Sequence, residues 1–495
     1  MIKDIENKHG AVHSTFDDAF EATGHGRYNY LVLLACCIIN MAASMDLFGF
    51  SVVVAATNCD LNLTISQMGL LASSPFSGLI FAYPWGYFAD TKGRKPALIL
   101  SATGGFVCAT LSSLSTRWEV LMVSKIIGSC FSMASFMLTI TYLGENIGFK
   151  KRKQFIFILN SMNLASESVS FGLAYLILPL SVNLYLPWMT TIFRSWRLLV
   201  LAMAAPLGIG ALMMLLLNES PKFLADQGEE VKCLEILKNI FAANGGKRED
   251  FSVKRLECTV AKDEKVSLPT MLWRHASPIF KPPLLWTTLQ LFYVFALAQA
   301  ICNIYIMWLP TLLDFVFKSI SNSSDDLGFC YSIQNATSRV NVDPDVPCRE
   351  IVSEEAIVSG FFISLILAIL NLSVSKFAAR RRLILMLIFL ISAFSCIMVS
   401  VLKQPIASVI FYTLIQSTSV SVGSVVSFFV DLYPTSCRGL ATSLGFMVGR
   451  FSALTGTALV GLIIRTHCHL LFYVTAVLLL SGILVALLLP ADKKK

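Results

Sequence analysis

Apolar residues run in blocks of about twenty along nearly the whole chain, divided by short polar stretches. A helix needs roughly 20 consecutive apolar residues to cross a bilayer core of about 30 Å, so each block predicts a spanning helix. Helices one to six are expected at 29–55, 67–87, 97–115, 119–143, 154–180 and 196–217. Helices seven to twelve follow at 285–310, 354–375, 383–402, 407–430, 440–464 and 469–490. The expected fold class is an all-α membrane protein with twelve transmembrane helices in two six-helix halves, 29–217 and 285–490. A polar linker, 218–284, joins the halves. Residues 1–28 and 491–495 form polar tails, and 312–353 forms a long polar loop.

Composition agrees with this reading. The 495 residues are 55% hydrophobic and only 14% charged, against about 25% charged in soluble domains. Basic residues gather in alternate loops: Lys92, Arg94 and Lys95, then Lys150–Lys153, Arg380–Arg382 and the terminal Lys493–Lys495. By the positive-inside rule these loops, the linker and both tails face the cytoplasm. The loop 312–353 then faces outside or into a vesicle lumen. It carries sequons at Asn322 and Asn335, together with Cys330 and Cys348, the pair that shares one polar loop on the oxidising side. Glycans on Asn335 and Asn322 and a Cys330–Cys348 disulfide are therefore expected. The net charge of +8 forms no basic, aromatic-studded face of the kind that binds nucleic acid. No short apolar core with a cleavage site marks residues 1–28 as a signal peptide. No Cys/His spacing suits a metal, no phosphate-binding G-x-x-x-x-G-K-[ST] loop occurs, and no nucleophile–base constellation suggests an enzyme. The expected partners are the lipid bilayer, a small-molecule substrate and a coupling ion such as a proton. No cofactor is expected, and the chain is read as a monomer.

The halves are related. Glu145 and Arg152 close helix four seven residues apart; Asp431 and Arg438 close helix ten with the same spacing. A shift of 286 residues carries Glu145 to Asp431, Arg152 to Arg438, Arg94 to Arg380 and Lys95 to Arg381. Duplicated halves of this kind are common in transporters.

Between helices two and three lies Gly86-Tyr-Phe-Ala-Asp90-Thr-Lys-Gly93-Arg94-Lys95. Gly86 suits a close helix contact and Gly93 a tight turn; Asp90 suits a cation of its own loop or a neighbouring helix N-terminus. The segment resembles the signature loop G-x-x-x-D-x-x-G-R-[RK] of the major facilitator superfamily. That resemblance implies a cytoplasmic charge lock that favours an outward-open state, built from Gly86, Asp90, Gly93, Arg94, Lys95, Glu145, Arg152, Asp431 and Arg438. In the second half Lys376 stands at the position matching Asp90 and Ala379 at that of Gly93, so an asymmetric lock is expected. Phe193-Arg-Ser-Trp-Arg-Leu, Asn218-Glu-Ser-Pro-Lys-Phe-Leu and Asp431-Leu-Tyr-Pro-Thr-Ser-Cys-Arg-Gly resemble elements of sugar and organic-ion carriers. The long loop with sequons between helices seven and eight is most similar to the synaptic vesicle glycoprotein 2 group. Organic-ion transporters, which carry their large loop between helices one and two, come second. The resemblance implies a major facilitator fold and a solute-carrier role.

Ionisable residues at membrane depth cost at least ~2.5 kcal/mol and are candidate site residues. Asp46 (helix one) and Lys125 (helix four) are expected to face each other in the outer half of a central cavity. They form either a pair that substrate or a proton opens, or a static structural one. Arg450 in helix eleven resembles an arginine that organic-ion transporters place near substrate; it is either an anion contact or a brace between neighbouring helices. Glu167, flanked by Ser166 and Ser168, is either a proton-coupling group or an inert hydrogen-bonded acid. As a set, Tyr293, Tyr305 and Trp308 of helix seven and Tyr412 and Gln416 of helix ten suit the wall of an organic-ligand site; singly, each suits packing or a lipid-facing position. The expected function is a secondary carrier moving a small organic solute, such as an organic ion, by alternating access. The alternative is a transport-inactive receptor or trafficking glycoprotein built on the same fold.

Overall fold

The computed structural model describes residues 13–490, apart from 15, 181, 188–190, 254, 257–276, 283, 323–327, 339–351, 375–379 and 434. Cys348, Lys376 and Ala379 lie outside the described residues, as do the side chains of Asn322, Asn335 and Arg438. The described residues are almost entirely helical, as the sequence pattern predicts.

Among the described residues, nine helices are long and apolar enough to span a membrane. The count falls short of twelve for three physical reasons. Helices eleven and twelve run on as one helix, Thr435–Leu488, whose backbone leaves helical geometry only at His467. Helix two is broken into Ile65–Ser73, a tight 3-10 stretch Ser74–Phe81, and Ala82–Lys92. Helix five, Phe149–Ile177, carries Asn160, Asn163, Ser166, Glu167, Ser168 and Ser170, too polar a run to read as a span.

Other boundaries follow local chemistry. Asn62, in left-handed geometry at φ 48°, ends helix one, as a short polar side chain tolerates. Thr64 and Gln67 then form a capping box: the Thr64 hydroxyl accepts from the Gln67 N–H at 3.3 Å, and Gln67 Oε1 accepts from the Thr64 N–H at 2.8 Å. Helix seven, Leu284–Asn322, continues well past its expected end at 310 into the long loop. That loop holds a further helix, Phe329–Ser338. An antiparallel hairpin, Asn183–Leu186 with Thr191–Arg194, connects helices five and six.

The N-terminal tail and the linker, which read as separate polar segments, meet in the structure. His13–Ser14 pairs in parallel with Arg255–Leu256. Phe20, Phe223, Leu237, Cys233, Phe251 and Val253 bury a small core between them. This module marks one face of the molecule, here called the linker face; the opposite end is the loop face.

The expected Cys330–Cys348 disulfide is corrected. Cys330 is bonded to Cys468, with Cα atoms 5.7 Å apart across 138 residues of sequence. The turn between helices eleven and twelve brings Cys468 under the loop helix. Phe329, beside Cys330, stacks on Tyr412 at 5.6 Å and meets Phe472 edge-on at 5.9 Å. The loop helix is thus docked into the second half by aromatic packing before the covalent bond is counted.

Candidate functional site

At mid-membrane depth three helices lose regular geometry. Helix one passes through a π turn, Met45–Gly49; helix two carries its 3-10 stretch; helix ten breaks at Gln416–Ser417, between Pro405–Ile415 and Thr418–Leu432. Irregular backbone at this depth survives only where protein or a cavity satisfies it, and π turns concentrate at functional sites.

The π turn carries Asp46. Lys125 of helix four donates both to the Asp46 carboxylate and to the Asp46 backbone carbonyl. Its ammonium also lies 4.4 Å from the centre of the Phe50 ring. With only 4% of its side chain exposed, Lys125 is held by one residue's two oxygens and clamps the widened turn in place. Helix five packs on the other side. The Ser44 hydroxyl donates to Asn163 Oδ1 at 2.6 Å, and a Cβ at Gly49 would collide with Ser170. Gly49 thus serves the π turn by admitting helix five where a side chain would not fit.

Glu167 and Arg450 are different: each has a buried polar atom, Oε1 and Nη1 respectively, with no hydrogen-bond partner. Arg450 is 7% exposed, and its guanidinium lies 5.9 Å and 5.8 Å from the ring centres of Phe48 and Phe76 in the first half. Helix eleven packs along helix seven. On helix seven Gln299 and Asn303 are almost fully buried, and the Asn303 amide donates to the Gln299 side chain at 2.8 Å. Gly449 brings helix eleven against that pair: a Cβ there would sit 2.8 Å from Gln299 Cγ. Gln299 and Asn303 escaped the sequence reading because uncharged amides give little signal inside an apolar block.

The aromatic residues are not gathered into one wall. Tyr293 faces helix twelve, its hydroxyl 2.6 Å from that of Ser481. Tyr305, Tyr412 and Gln416 are buried inside the second half. The Tyr412 hydroxyl at 3.0 Å and the Gln416 amide at 3.1 Å both donate to the Tyr305 carbonyl, which ties helix ten to helix seven beside its break. Tyr305, Trp308, Tyr412, Phe472 and Thr475 line a cavity of about 30 Å³, far below the ~300 Å³ of a small-molecule site. Trp308 instead packs at a crossing of three helices. A Cβ at Gly69 of helix two would lie 2.8 Å from Gly461 Cα of helix eleven and 3.2 Å from Trp308 Cζ2.

That crossing belongs to a seal between the halves near the loop face. The outer end of helix one touches helix seven, and helix five touches helix eight, where the Ser168 and Ser364 hydroxyls are 3.0 Å apart. Towards the linker face, a Cβ at Gly86, Gly144 or Gly423 would meet nothing within 4 Å. The close helix contact expected of Gly86 is therefore absent in this conformation.

The signature loop works within the first half. Gly93, at φ 110°, begins helix three without a capping side chain. The missing cap comes from Glu219 beyond helix six, whose Oε1 accepts the Arg94 and Lys95 N–H groups at 3.0 Å and 2.9 Å. A Cβ on Gly93 would collide with that carboxylate. Burial pushes the Glu219 carboxyl above its ordinary range, against the pull of these hydrogen bonds. Arg94 pairs with Glu145 at 3.1 Å and with the exposed Asp90 at 3.0 Å. The Ser220 hydroxyl donates to Glu145 at 2.6 Å. Lys95 donates to the Leu217 carbonyl at 2.6 Å, closing helix six. Arg152 does not close helix four: it sits in the first turn of helix five, donating to the Ile147 carbonyl at 3.4 Å. In the second half Arg381, not Arg380, pairs with Asp431, and Arg382 donates to the Leu487 carbonyl.

At the loop face, Asp60 accepts from the Trp196 indole at 2.9 Å and pairs with Arg194 at 2.8 Å and Arg197 at 3.4 Å. Arg197 also donates to the Ser113 and Ser115 carbonyls. This gives the Trp-Arg element that opens helix six a structural task. Asp60 was missed because it falls in the loop predicted between helices one and two, where an acid is unremarkable.

The sequence pattern of the Major Facilitator Superfamily matches residues 36–333, more than half of the chain. The chain belongs to this superfamily. Synaptic vesicle glycoprotein 2B of Rattus norvegicus is 23% identical over 280 residues, 54% of this chain and 40% of that protein. Synaptic vesicle glycoprotein 2A of Homo sapiens is 25% identical over 252 residues, 50% of this chain and 34% of that protein. The matched region thus spans well under half the length of these relatives. Among solved structures, the xylose transporter XylE from E. coli, partially occluded and inward open, superposes with a TM-score of 0.65 at 14% identity. That match covers 94% of this chain and 99% of XylE. A bacterial homologue of the human lysosomal transporter Spinster, inward-facing and unoccupied, gives 0.63 at 13% identity, covering 94% and 97%. These likenesses establish the fold of a multi-pass integral membrane protein.

Proposed function

We propose that this protein is a secondary carrier that moves a small organic solute by alternating access, with the linker face in the cytosol. The observation that carries the reading is the arrangement of the halves. They are sealed at the loop face through Gly69, Gly461 and Trp308, while unpartnered ionisable groups from both halves, Glu167 and Arg450, are held at mid-membrane depth. With the linker face cytosolic, this is an inward-facing state, and the signature loop is a brace within one half rather than a latch between halves. XylE is a proton:xylose symporter and NupG, of the same fold, a nucleoside transporter. Both support a small polar solute here and, for XylE, a coupling proton.

The test is a thermal-shift panel of organic cations, anions, sugars and nucleosides on the purified protein, followed by counterflow of each stabilising compound in proteoliposomes. Counterflow of any stabilising compound supports the carrier. Stabilisation without counterflow of any hit refutes it in favour of a transport-inactive receptor. One observation favours that second reading: the loop helix, whose segment holds the Asn335 sequon, is fixed to the second half by Cys330–Cys468 as a rigid surface.

A further inference from the structure

The hairpin between helices five and six is apolar where a water-exposed turn would be polar. Leu184 is 60% exposed, Tyr185 58% and Ile192 40%. Leu184 stands opposite Phe193, and Tyr185 opposite Ile192, so the two pairs point to opposite faces of the ribbon. Both faces therefore present apolar side chains. A two-stranded ribbon with little packed on it is marginal in water, and contiguous exposed apolar surface marks an interaction site.

The depth of the ribbon follows from what lies at its base. Helix six, Ser195–Leu215, has 21 residues, about 31 Å at 1.5 Å per residue, which matches a bilayer core of about 30 Å. At its start Arg197 donates to the Ser113 and Ser115 carbonyls at the end of helix three and pairs with Asp60 near the end of helix one. Three helix ends thus reach one level, the edge of the hydrocarbon core. The ribbon leaves from that level: Asp60 holds Arg194 at 2.8 Å, and the Ser195 hydroxyl donates to the Leu180 carbonyl across the base. Leu184, Tyr185 and Ile192 lie one or two residues beyond Arg194 in register, within about 7 Å at 3.4 Å per residue. The headgroup layer is about 5–8 Å deep on each side of the core. Beneath the ribbon, the exposed Tyr175, Leu176 and Leu180 at the end of helix five continue the same apolar surface into the membrane.

We propose that this hairpin is an interfacial anchor, with Leu184, Tyr185 and Ile192 immersed among the headgroups and upper acyl chains of the loop-face leaflet. The inference does not depend on what the protein carries. A tyrosine suits this layer, with its ring in the apolar part and its hydroxyl in the wet part. The backbone groups along the ribbon's outer edges would be orphaned deeper in the hydrocarbon, whereas water reaches them here. Arg194 is already paired with Asp60, so the anchor is apolar and holds zwitterionic lipid as well as anionic lipid. Anchored in this way, the ends of helices five and six keep a fixed depth in the bilayer.

The test uses the full chain in phosphatidylcholine nanodiscs, in a background that retains only Cys330 and Cys468. A nitroxide is placed at Leu184→Cys or Ile192→Cys, one on each face of the ribbon, and its collisions with oxygen, which concentrates in lipid, are compared with those of a water-soluble nickel chelate. Leu212→Cys, on the exposed side of helix six, gives the lipid reference, and Lys247→Cys, exposed in the linker, gives the water reference. Both hairpin labels should shift from the Lys247 ratio of oxygen to nickel collisions towards the Leu212 ratio. The shift should persist when part of the lipid is replaced by phosphatidylserine. A ratio equal to that of Lys247 at either position overturns the immersion and leaves the ribbon to a soluble partner. A shift that appears only with phosphatidylserine overturns the apolar anchor in favour of an electrostatic one.

Discussion

Gly69→Ala should open the loop-face seal, and the size of the effect follows from the crossing geometry. A Cβ at Gly69 lies 2.8 Å from Gly461 Cα and 3.2 Å from Trp308 Cζ2. Carbon atoms rest at about 3.5–4.0 Å, so one methyl group overlaps a backbone by roughly 1 Å and a buried ring by somewhat less. Neither neighbour can swing aside: Gly461 presents backbone, and the Trp308 indole donates to the Thr457 carbonyl at 3.3 Å. Overpacking of this kind costs about 1–3 kcal/mol. The cost falls only on the sealed state, because the clash vanishes once helices two and eleven part. At 1.4 kcal/mol per factor of ten, the sealed population should drop roughly five- to 150-fold relative to the open one. Pulsed electron resonance between spin labels at Asn183→Cys and Arg465→Cys, both on exposed loop-face positions, reads that balance. The background would retain only Cys330 and Cys468. A new, longer distance should appear in Gly69→Ala and grow further in Gly69→Ala with Gly461→Ala. An unchanged distribution in the double variant would refute the seal.

Four further outcomes are expected. Asp46→Asn strands the buried Lys125 ammonium and should lower stability by about 3–5 kcal/mol, whereas Asp46→Asn with Lys125→Met should recover much of it in thermal denaturation; additive losses would rule out the pairing. Non-reducing peptide mapping should recover Cys330 linked to Cys468, and Cys468→Ser should cost roughly 2–4 kcal/mol; a Cys330–Cys348 linkage would overturn the docking of the loop helix. Asp90→Asn, at a position 69% exposed, should change stability by under about 1 kcal/mol, while Glu145→Gln loses charge-assisted bonds to Arg94 and should cost about 1.5–3 kcal/mol; equal effects would contradict this ranking. Because burial raises the Glu219 carboxyl, the folded protein binds that proton more readily than the unfolded chain. Stability from this group is therefore fully present below about pH 4.5 and lost as pH rises through the raised value, a slope that melting curves of Glu219→Gln should lack.

The twelve spans were legible because bilayer thickness imposes a block length that composition cannot hide. Irregularities inside the spans were not. A π turn at Met45–Gly49 or a break at Gln416–Ser417 leaves the apolar content of its block unchanged, so hydropathy passes over both. The Asp46–Lys125 pair was legible because charge at membrane depth is conspicuous and the superfamily's cavity order brings helices one and four together. Cys468 was not, since one cysteine between His467 and His469 in a short turn looks unlike a partner for a distant loop. The sidedness of that turn held the available clue: it falls on the same side as Cys330. Tyr305, Tyr412 and Trp308 stayed ambiguous because an aromatic side chain in a span gives the same signal whether it lines a cavity or fills a core.

The signature loop shows how a motif and its repeat can each be misread by one step. The repeat aligns Arg94 with Arg380 when Glu145 is laid on Asp431, yet the structure pairs Arg94 with Glu145 and Arg381 with Asp431. The next residues agree with the structural register: Lys95 closes helix six and Arg382 closes helix twelve through backbone carbonyls. Helix three begins at Arg94 after Gly93, and helix nine at Arg381 after Arg380. What the duplication preserves is therefore the first two residues of a helix, one reaching an acid of the next helix and one reaching the end of the helix three further on. Gly93 itself is explained by neither half alone. It is required where Glu219 supplies a cap from another segment, and the tail repeats the device at helix five. There Gly148 carries no capping side chain and Glu21 accepts the Lys150 N–H at 3.3 Å. Every one of these contacts joins elements of a single half, its tail or its linker. They make each half rigid, and the rocking of rigid halves leaves them unbroken.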